Sequence, residues 1–190
     1  MRARMALAYT DVLFELREIS LKNRPKELYE VSKKGTVPVL ITSDNLVIDE
    51  SLEIMLWSLK DNSNQKWLKD NYKEELDIIN INDTKFKKWL DRYKYYDRYP
   101  GKSKTYYRKE CCNILDIYEN KLSNSQYLLK NRISLVDIAV FPFIRQFANV
   151  DQDWFNSFYK KLPTWLHSIS SSELFARVME KNELWVGKEI

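Results

Sequence analysis

The sequence predicts an α+β protein of two lobes: a small mixed lobe over residues 1–60 and an all-helical lobe over residues 67–190, joined by a linker at 61–66. Three observations predict it. Only three glycines and five prolines stand among 190 residues of which 44% are hydrophobic, a composition poor in hairpin turns and suited to helices. Helix and strand patterns alternate in the first sixty residues, whereas apolar residues afterwards recur mostly at three- and four-residue steps. Between these regions Asp61-Asn62-Ser63-Asn64-Gln65 is polar and aperiodic, as a linker is.

The elements follow in order. Met1 to Tyr9 is built from helix formers and ends in a Thr10-Asp11 turn. Phe14, Leu16 and Ile19 alternate loosely with polar residues and predict a strand over Phe14 to Ile19. Pro25 opens a short helix carrying Leu28, Tyr29 and Val31, which Lys33-Lys34-Gly35 stops. Strands are expected at Val39 to Thr42 and Leu46 to Ile48 about a Ser43-Asp44-Asn45 turn, then a helix from Ser51 to Lys60. In the second lobe, Tyr72, Leu76, Ile79, Phe86, Leu90 and Tyr93 share one stripe apart from a polar gap at Asp83. They predict one long amphipathic helix to about Tyr99. Pro100-Gly101 breaks it, and Tyr107, Cys111, Ile114, Leu115, Tyr118 and Leu122 mark a second helix running back antiparallel. Ser134-Leu135-Val136-Asp137 is a capping box before the apolar run Ile138 to Ile144. Pro142 interrupts the hydrogen bonding of that helix. Shorter helices follow around Phe155, Leu162-Pro163 and Phe175, with Trp185 closing the lobe.

Several function classes are excluded or disfavoured. No run of 18 apolar residues exists, and the first eight residues are too short for a secretory signal, which predicts a cytoplasmic protein without a membrane segment. Cys111 and Cys112 are adjacent, so neither redox nor metal-ligand spacing is present. His167 is the only histidine, which rules out a zinc site of several histidines and disfavours a Ser/His or Cys/His pair. No metal is expected. The net charge of +4 suits anionic ligands without being a nucleic-acid signature.

The chemistry-bearing pattern is Lys34-Gly35-Thr36-Val37-Pro38-Val39-Leu40, followed by Glu50-Ser51. Pro38 makes a cis bond tolerable. An exposed Val37 offers its N–H and C=O to an extended peptide. Ser51 at a helix N-terminus, with free N–H groups, suits a carboxylate, and Glu50 can accept from an ammonium. Order and spacing together resemble the glutathione-holding half of a glutathione transferase, and Ser134-Leu135-Val136-Asp137-Ile138-Ala139 resembles the box that opens the core helix of its C-terminal lobe. The match covers nearly the whole chain and has the flavour of bacterial glutathione transferase-like proteins. It implies a thioredoxin-like first lobe with glutathione as cosubstrate, held by Val37, Pro38, Glu50 and Ser51 with Lys34 at the glycyl carboxylate. It further implies an electrophile between the lobes near Trp89 and Tyr93, and a homodimer.

The family places a strand and a loop ahead of the helix that begins here at Met1, and its catalytic Cys, Ser or Tyr sits there. No residue of this chain matches that group, so the catalytic residue is unassigned. The first strand of the thioredoxin-like lobe is expected to be missing, through a start upstream of Met1 or a remodelled form, the former being favoured. Two functions follow: glutathione-dependent transfer or thiol reduction once that strand is supplied, or a non-catalytic module of the stringent starvation protein type that binds a protein partner. Basic and aromatic residues interleave from Lys85 to Lys109, but such stripes more often pack a core than grip nucleic acid; nucleic-acid binding is not expected.

Overall fold

The computed structural model describes residues 1–60, 62, 65–68 and 72–187. The expected linker residues Asp61, Ser63 and Asn64 lie outside the described residues. In chain order the elements are α1 (Arg2–Tyr9), α2 (Lys26–Val31), β1 (Leu40–Ile41), β2 (Val47–Ile48), α3 (Ser51–Lys60), α4 (Lys73–Ile81), α5 (Lys87–Lys94), α6 (Lys104–Asn124), α7 (Leu135–Ala148), α8 (Gln152–Phe158), α9 (Leu162–Ser170) and α10 (Glu173–Met179). They fall into two compact units. One comprises the described parts of 1–65 and 173–190, the other those of 66–172.

In the first unit α1 packs against α3 and α10. Ala3, Leu7, Ile48 and Ile54 form a buried cluster flanked by Val12 and Leu40. The Thr10 hydroxyl donates to the Ala6 carbonyl at 2.9 Å and so closes the end of α1. β1 and β2 pair antiparallel with Leu40 opposite Ile48 and Ile41 opposite Val47. Asn45 turns the hairpin at φ +64°, a conformation that asparagine tolerates better than most residues. The Leu46 N–H donates to Thr42 Oγ1 at 3.0 Å.

The strand expected at Phe14 to Ile19 does not form. Among the described residues its only ladder feature is an isolated parallel bridge between Glu18 and Leu184, where Trp185 N–H donates to the Glu18 carbonyl at 2.7 Å. A strand needs a neighbour for its backbone groups and a face to bury. Phe14 and Leu16 are exposed and Ile19 is only half-buried, so their alternation marks no core face.

The helical unit is organised by one apolar helix. α7 is buried along nearly its full length, and α4, α5 and α9 pack on it. Its capping box is formed as expected. Asp137 accepts from Ser134 N–H at 3.0 Å and from the Ser134 hydroxyl at 2.9 Å. It also accepts from Leu128 N–H at 3.0 Å and from Trp165 Nε1 at 2.9 Å. Burial pushes the Asp137 carboxyl up, opposed by the hydrogen bonds from Leu128, Trp165 and Ser134. Farther along α7, the Phe147 ring lies 5.1 Å from Tyr93 and 6.1 Å from both Phe86 and Phe155. These aromatic contacts bring α5 and α8 onto the same helix.

The long helix expected from Tyr72 to Tyr99 is instead α4 and α5 joined through a π turn, Asn82–Phe86, and followed by a short 3-10 turn, Tyr96–Arg98. The π turn falls at the polar gap. Asn82 is wholly buried and donates to Asp83 Oδ1 at 2.9 Å. A π turn takes in an extra residue, after which Phe86, Leu90 and Tyr93 return to the core. The stripe also differs two turns earlier, where Glu75 is buried and the expected Leu76 only half-buried. Lys130 forms an ion pair with Glu75, which makes that burial tolerable.

α6 runs antiparallel to this pair: Lys121 meets Glu74 at 3.2 Å near one end, and the Lys104 ammonium lies 5.7 Å from the Tyr93 ring near the other. All six residues of its expected stripe are buried. At its solvent side, Glu119 accepts from the backbone N–H groups of Lys160, Lys161 and Leu162, each at 2.8 Å. It thereby caps the otherwise unpaired start of α9.

Asp137→Ala leaves buried N–H donors of three residues without their acceptor, so the expected loss is about 3 kcal/mol, beyond that of a simple helix cap. Asp137→Asn, which keeps one acceptor oxygen, is expected to lose about half as much. Urea denaturation followed by tryptophan fluorescence measures both; equal stability of the three proteins would refute this role.

Candidate functional site

The site in the first unit is assembled by a turn and a hairpin. After α2, Ser32 N–H closes on the Leu28 carbonyl at 2.9 Å and Gly35 N–H on the Ser32 carbonyl at 3.0 Å. Gly35 has φ +58°, and a Cβ there would stand 2.3 Å from Tyr29 Cε1. Both the conformation and the close approach call for glycine. This tight reversal carries Lys34 to the end of β2. Its ammonium donates to Glu50 Oε1 at 2.7 Å and to Asp49 Oδ1 at 2.9 Å. Ser32, itself buried, donates to the other Asp49 oxygen at 2.8 Å.

The electrostatics follow from these bonds. Hydrogen bonds to Glu50 and Asp49 hold the Lys34 ammonium above its ordinary range. Those from Lys34 and Ser32 hold the Asp49 carboxyl below its own. Two carboxylates thus share one exposed cation. The Lys34 bond to Glu50 is exchangeable, because an exposed ion pair is weakly held in water.

The Val37–Pro38 peptide is cis, as expected. Val37 is 47% exposed, and among the described residues its N–H and C=O make no backbone hydrogen bond. Pro38 precedes β1 and Glu50 follows β2, each two residues beyond the paired Leu40 and Ile48. Ser51 opens α3, whose first backbone bond runs from Ile54 N–H to the Glu50 carbonyl at 3.0 Å. The structure therefore joins Lys34 and Glu50 directly and places Ser51 beside them, at a helix end with N–H groups to offer. Sequence reasoning missed Asp49 and Ser32. The run Asp49-Glu50-Ser51 facing a lysine-rich turn was the available signal.

Trp89 and Tyr93 belong to the helical unit and differ in access. Tyr93 is 1% exposed; burial pushes its phenol up, with Arg108 opposing. Trp89 is half-buried, stacked on Tyr107 at 6.4 Å. It lines a surface cleft of about 470 Å³ with Arg92, Arg98, Tyr99 and Lys102 among others. Ser134 and Asp137 act in folding, as described above. Cys111 and Cys112 are both buried, and burial pushes both thiols up, which keeps them from acting as thiolates. Among the described residues there is no group of three His, Cys, Asp or Glu able to hold a metal, and no helix is long and apolar enough to cross a membrane.

Comparison with known proteins agrees with this architecture. The glutathione S-transferase N-terminal domain model matches residues 1–59 and the C-terminal domain model residues 81–173. Among solved structures, glutathione transferase F7 from Populus trichocarpa aligns with a TM-score of 0.75 at 20% identity, over 93% of this chain and 91% of that one. Glutathione transferase URE2P6 from Phanerochaete chrysosporium, solved with oxidized glutathione, gives 0.80 at 15% identity over 93% and 88%. A family member from Pseudomonas fluorescens pf-5, solved with two glutathione bound, gives 0.78 at 14% identity over 93% and 86%. At these identities the likeness shows the fold. No curated protein matches this chain at significance. The chain is a glutathione S-transferase-like protein, with a thioredoxin-like N-terminal domain of short two-stranded sheet followed by the family's all-helical C-terminal domain.

Replacing Lys34 by Ala is expected to move the Asp49 carboxyl up toward the ordinary carboxylate range, while Ser32→Ala moves it less, following the order of their effects. Carbon-detected NMR titration of the Asp49 side chain reads both shifts. A titration midpoint unmoved by Lys34→Ala would dissolve the proposed coupling.

Proposed function

We propose that this chain binds glutathione at the first unit's site and belongs to a glutathione-dependent transfer or thiol-reduction reaction on a small electrophile. The Lys34 bridge to Glu50 beside the start of α3 is the observation that carries this reading. Glutathione has two ends to match. Its γ-glutamyl ammonium replaces Lys34 at the Glu50 carboxylate, and its γ-glutamyl carboxylate meets the Ser51 hydroxyl and the first N–H groups of α3. Released from Glu50, Lys34 turns to the glycyl carboxylate. The unpaired N–H and C=O of Val37, held beside Pro38, hydrogen-bond the cysteinyl part as a short added strand.

Family membership and the glutathione seen with two of the fold relatives support the same choice of ligand. The electrophile is assigned to the region of Trp89 and Tyr93. The group that activates the thiol is assigned to no residue of this chain. Family habit further suggests a cytoplasmic homodimer.

Titration calorimetry of the full chain with reduced glutathione tests the reading. Saturable binding is expected, and Glu50→Gln is expected to weaken it roughly tenfold, the scale of one charge-assisted hydrogen bond. Absence of binding, or affinity unchanged in both Glu50→Gln and Ser51→Ala, would overturn it and leave a protein-binding module as the alternative.

A further inference from the structure

The positive charge of this chain is concentrated in one place. Residues 85–109 hold ten lysines and arginines against two aspartates, in a chain whose whole net charge is +4. The cleft between the end of α5 and the start of α6 lies in this segment. Its wall includes Trp89, Tyr99, Tyr106 and Tyr107, with Pro100 and Gly101 at the turn, and the cations Arg92, Arg98 and Lys102 stand among them.

These cations are held by rings and not by acids. The Arg92 guanidinium lies 5.0 Å from the Trp89 ring centre and 5.7 Å from that of Tyr99. Arg98 lies 4.6 Å from Tyr95, and the Lys102 ammonium 5.4 Å from Tyr106. Among the described residues, none of the three makes an ion pair or a side-chain hydrogen bond. A guanidinium held near a ring by its charge spends no conventional hydrogen bond there, so its N–H donors are left for another acceptor. The result is a set of positioned donors without an internal acceptor, beside aromatic carbon. Such a pair of features matches a ligand that has an apolar ring at one end and a carboxylate at the other, since arginine forks bind carboxylates in bidentate fashion.

Size and ring geometry separate this ligand from a nucleic-acid strand. The cleft, of about 470 Å³ and open broadly to solvent, is a local recess of small-molecule size rather than a groove that runs along the surface. Strand binding requires successive free aromatic faces for bases. Here the rings pack on one another, Tyr106 on Tyr107 at 5.8 Å and Trp89 on Tyr107 at 6.4 Å, and cations cover further faces.

We propose that the cleft walled by Trp89, Arg92, Tyr99 and Lys102 is a binding site for a small planar aromatic carboxylate, with Arg92 and Arg98 as its anion-recognising residues. This names a substrate class for the region already assigned to the electrophile and rests on that assignment for any catalytic consequence. The binding itself requires no glutathione.

The test uses 2-naphthoate on the full chain, without glutathione, with neutral 2-naphthamide and non-planar cyclohexanecarboxylate as controls. Calorimetry is expected to give 2-naphthoate at least tenfold higher affinity than either control. The Trp89 indole N–H signal, identified through Trp89→Phe, is expected to shift on binding. Arg92→Gln with Arg98→Gln is expected to lower affinity at least tenfold at an unchanged melting temperature; should that pair melt early, the exposed Lys102→Gln is expected to lower it severalfold alone. Equal affinity for the amide, no shift of the Trp89 signal, or indifference to these substitutions would overturn the site. So would a single-stranded oligonucleotide that displaces 2-naphthoate at physiological salt and binds more tightly. Because glutathione is absent, a negative result leaves its own site standing, and failure of the glutathione titration leaves this outcome intact.

Discussion

The helical unit depends on one carboxylate withdrawn from water. Asp137 gathers hydrogen bonds from Ser134, Leu128 and Trp165, which lie at the start of α7, in the loop before it and in α9. An ionised carboxylate is costly to bury without donors. Only a chain arrangement that brings all three residues to it offsets that cost. α7 is thereby fixed at its beginning, and the aromatic cluster about Phe147 fixes it further on. Trp89 and Arg92 owe their placement to the same scaffold, since α5 packs on both α6 and α7.

The two units use carboxylates in opposite ways. Asp137 is enclosed, and its partners have nowhere else to turn. Asp49 and Glu50 share an exposed lysine across bonds of 2.9 and 2.7 Å, where water and salt compete continuously. Enclosure suits a folding constraint. Exposure suits the ligand exchange proposed above, since an ammonium arriving at Glu50 would meet a bond already open to solvent. Ser32 gives that arrangement a fixed point by binding the other oxygen of Asp49.

Motifs with a local physical cause were legible in the sequence. The Val-Pro pair, the helix opening at Ser51, the Ser134 and Asp137 box and the six-residue stripe of α6 each depend on residues close along the chain. Features requiring distant partners were not. Nothing near Glu75 announces Lys130, and nothing near Glu119 announces the start of α9, so a buried acid and a cross-helix cap escaped notice. The Phe14 to Ile19 pattern failed for the same reason, because alternation proposes a strand but only a neighbour makes one. At Asp83 the stripe shows a polar gap, which reads as an exception within one continuous helix; that the helix widens there into a π turn around Asn82 depends on packing that the local sequence does not show. At the candidate site Lys34, Glu50 and Ser51 were legible, whereas the part played by Asp49 emerged only from the fold.

The meeting of α1 and α10 bears on how the molecule is made. The first unit draws on both extremes of the described chain, with α10 against α1 and Trp185 hydrogen-bonded to Glu18, while the helical unit comes from one continuous stretch. A ribosome releases residues from the amino end. The thioredoxin-like domain therefore emerges early but waits for α10 to finish its packing, whereas every residue of the helical unit is already present by then. Order of emergence and order of completion are reversed between the two domains.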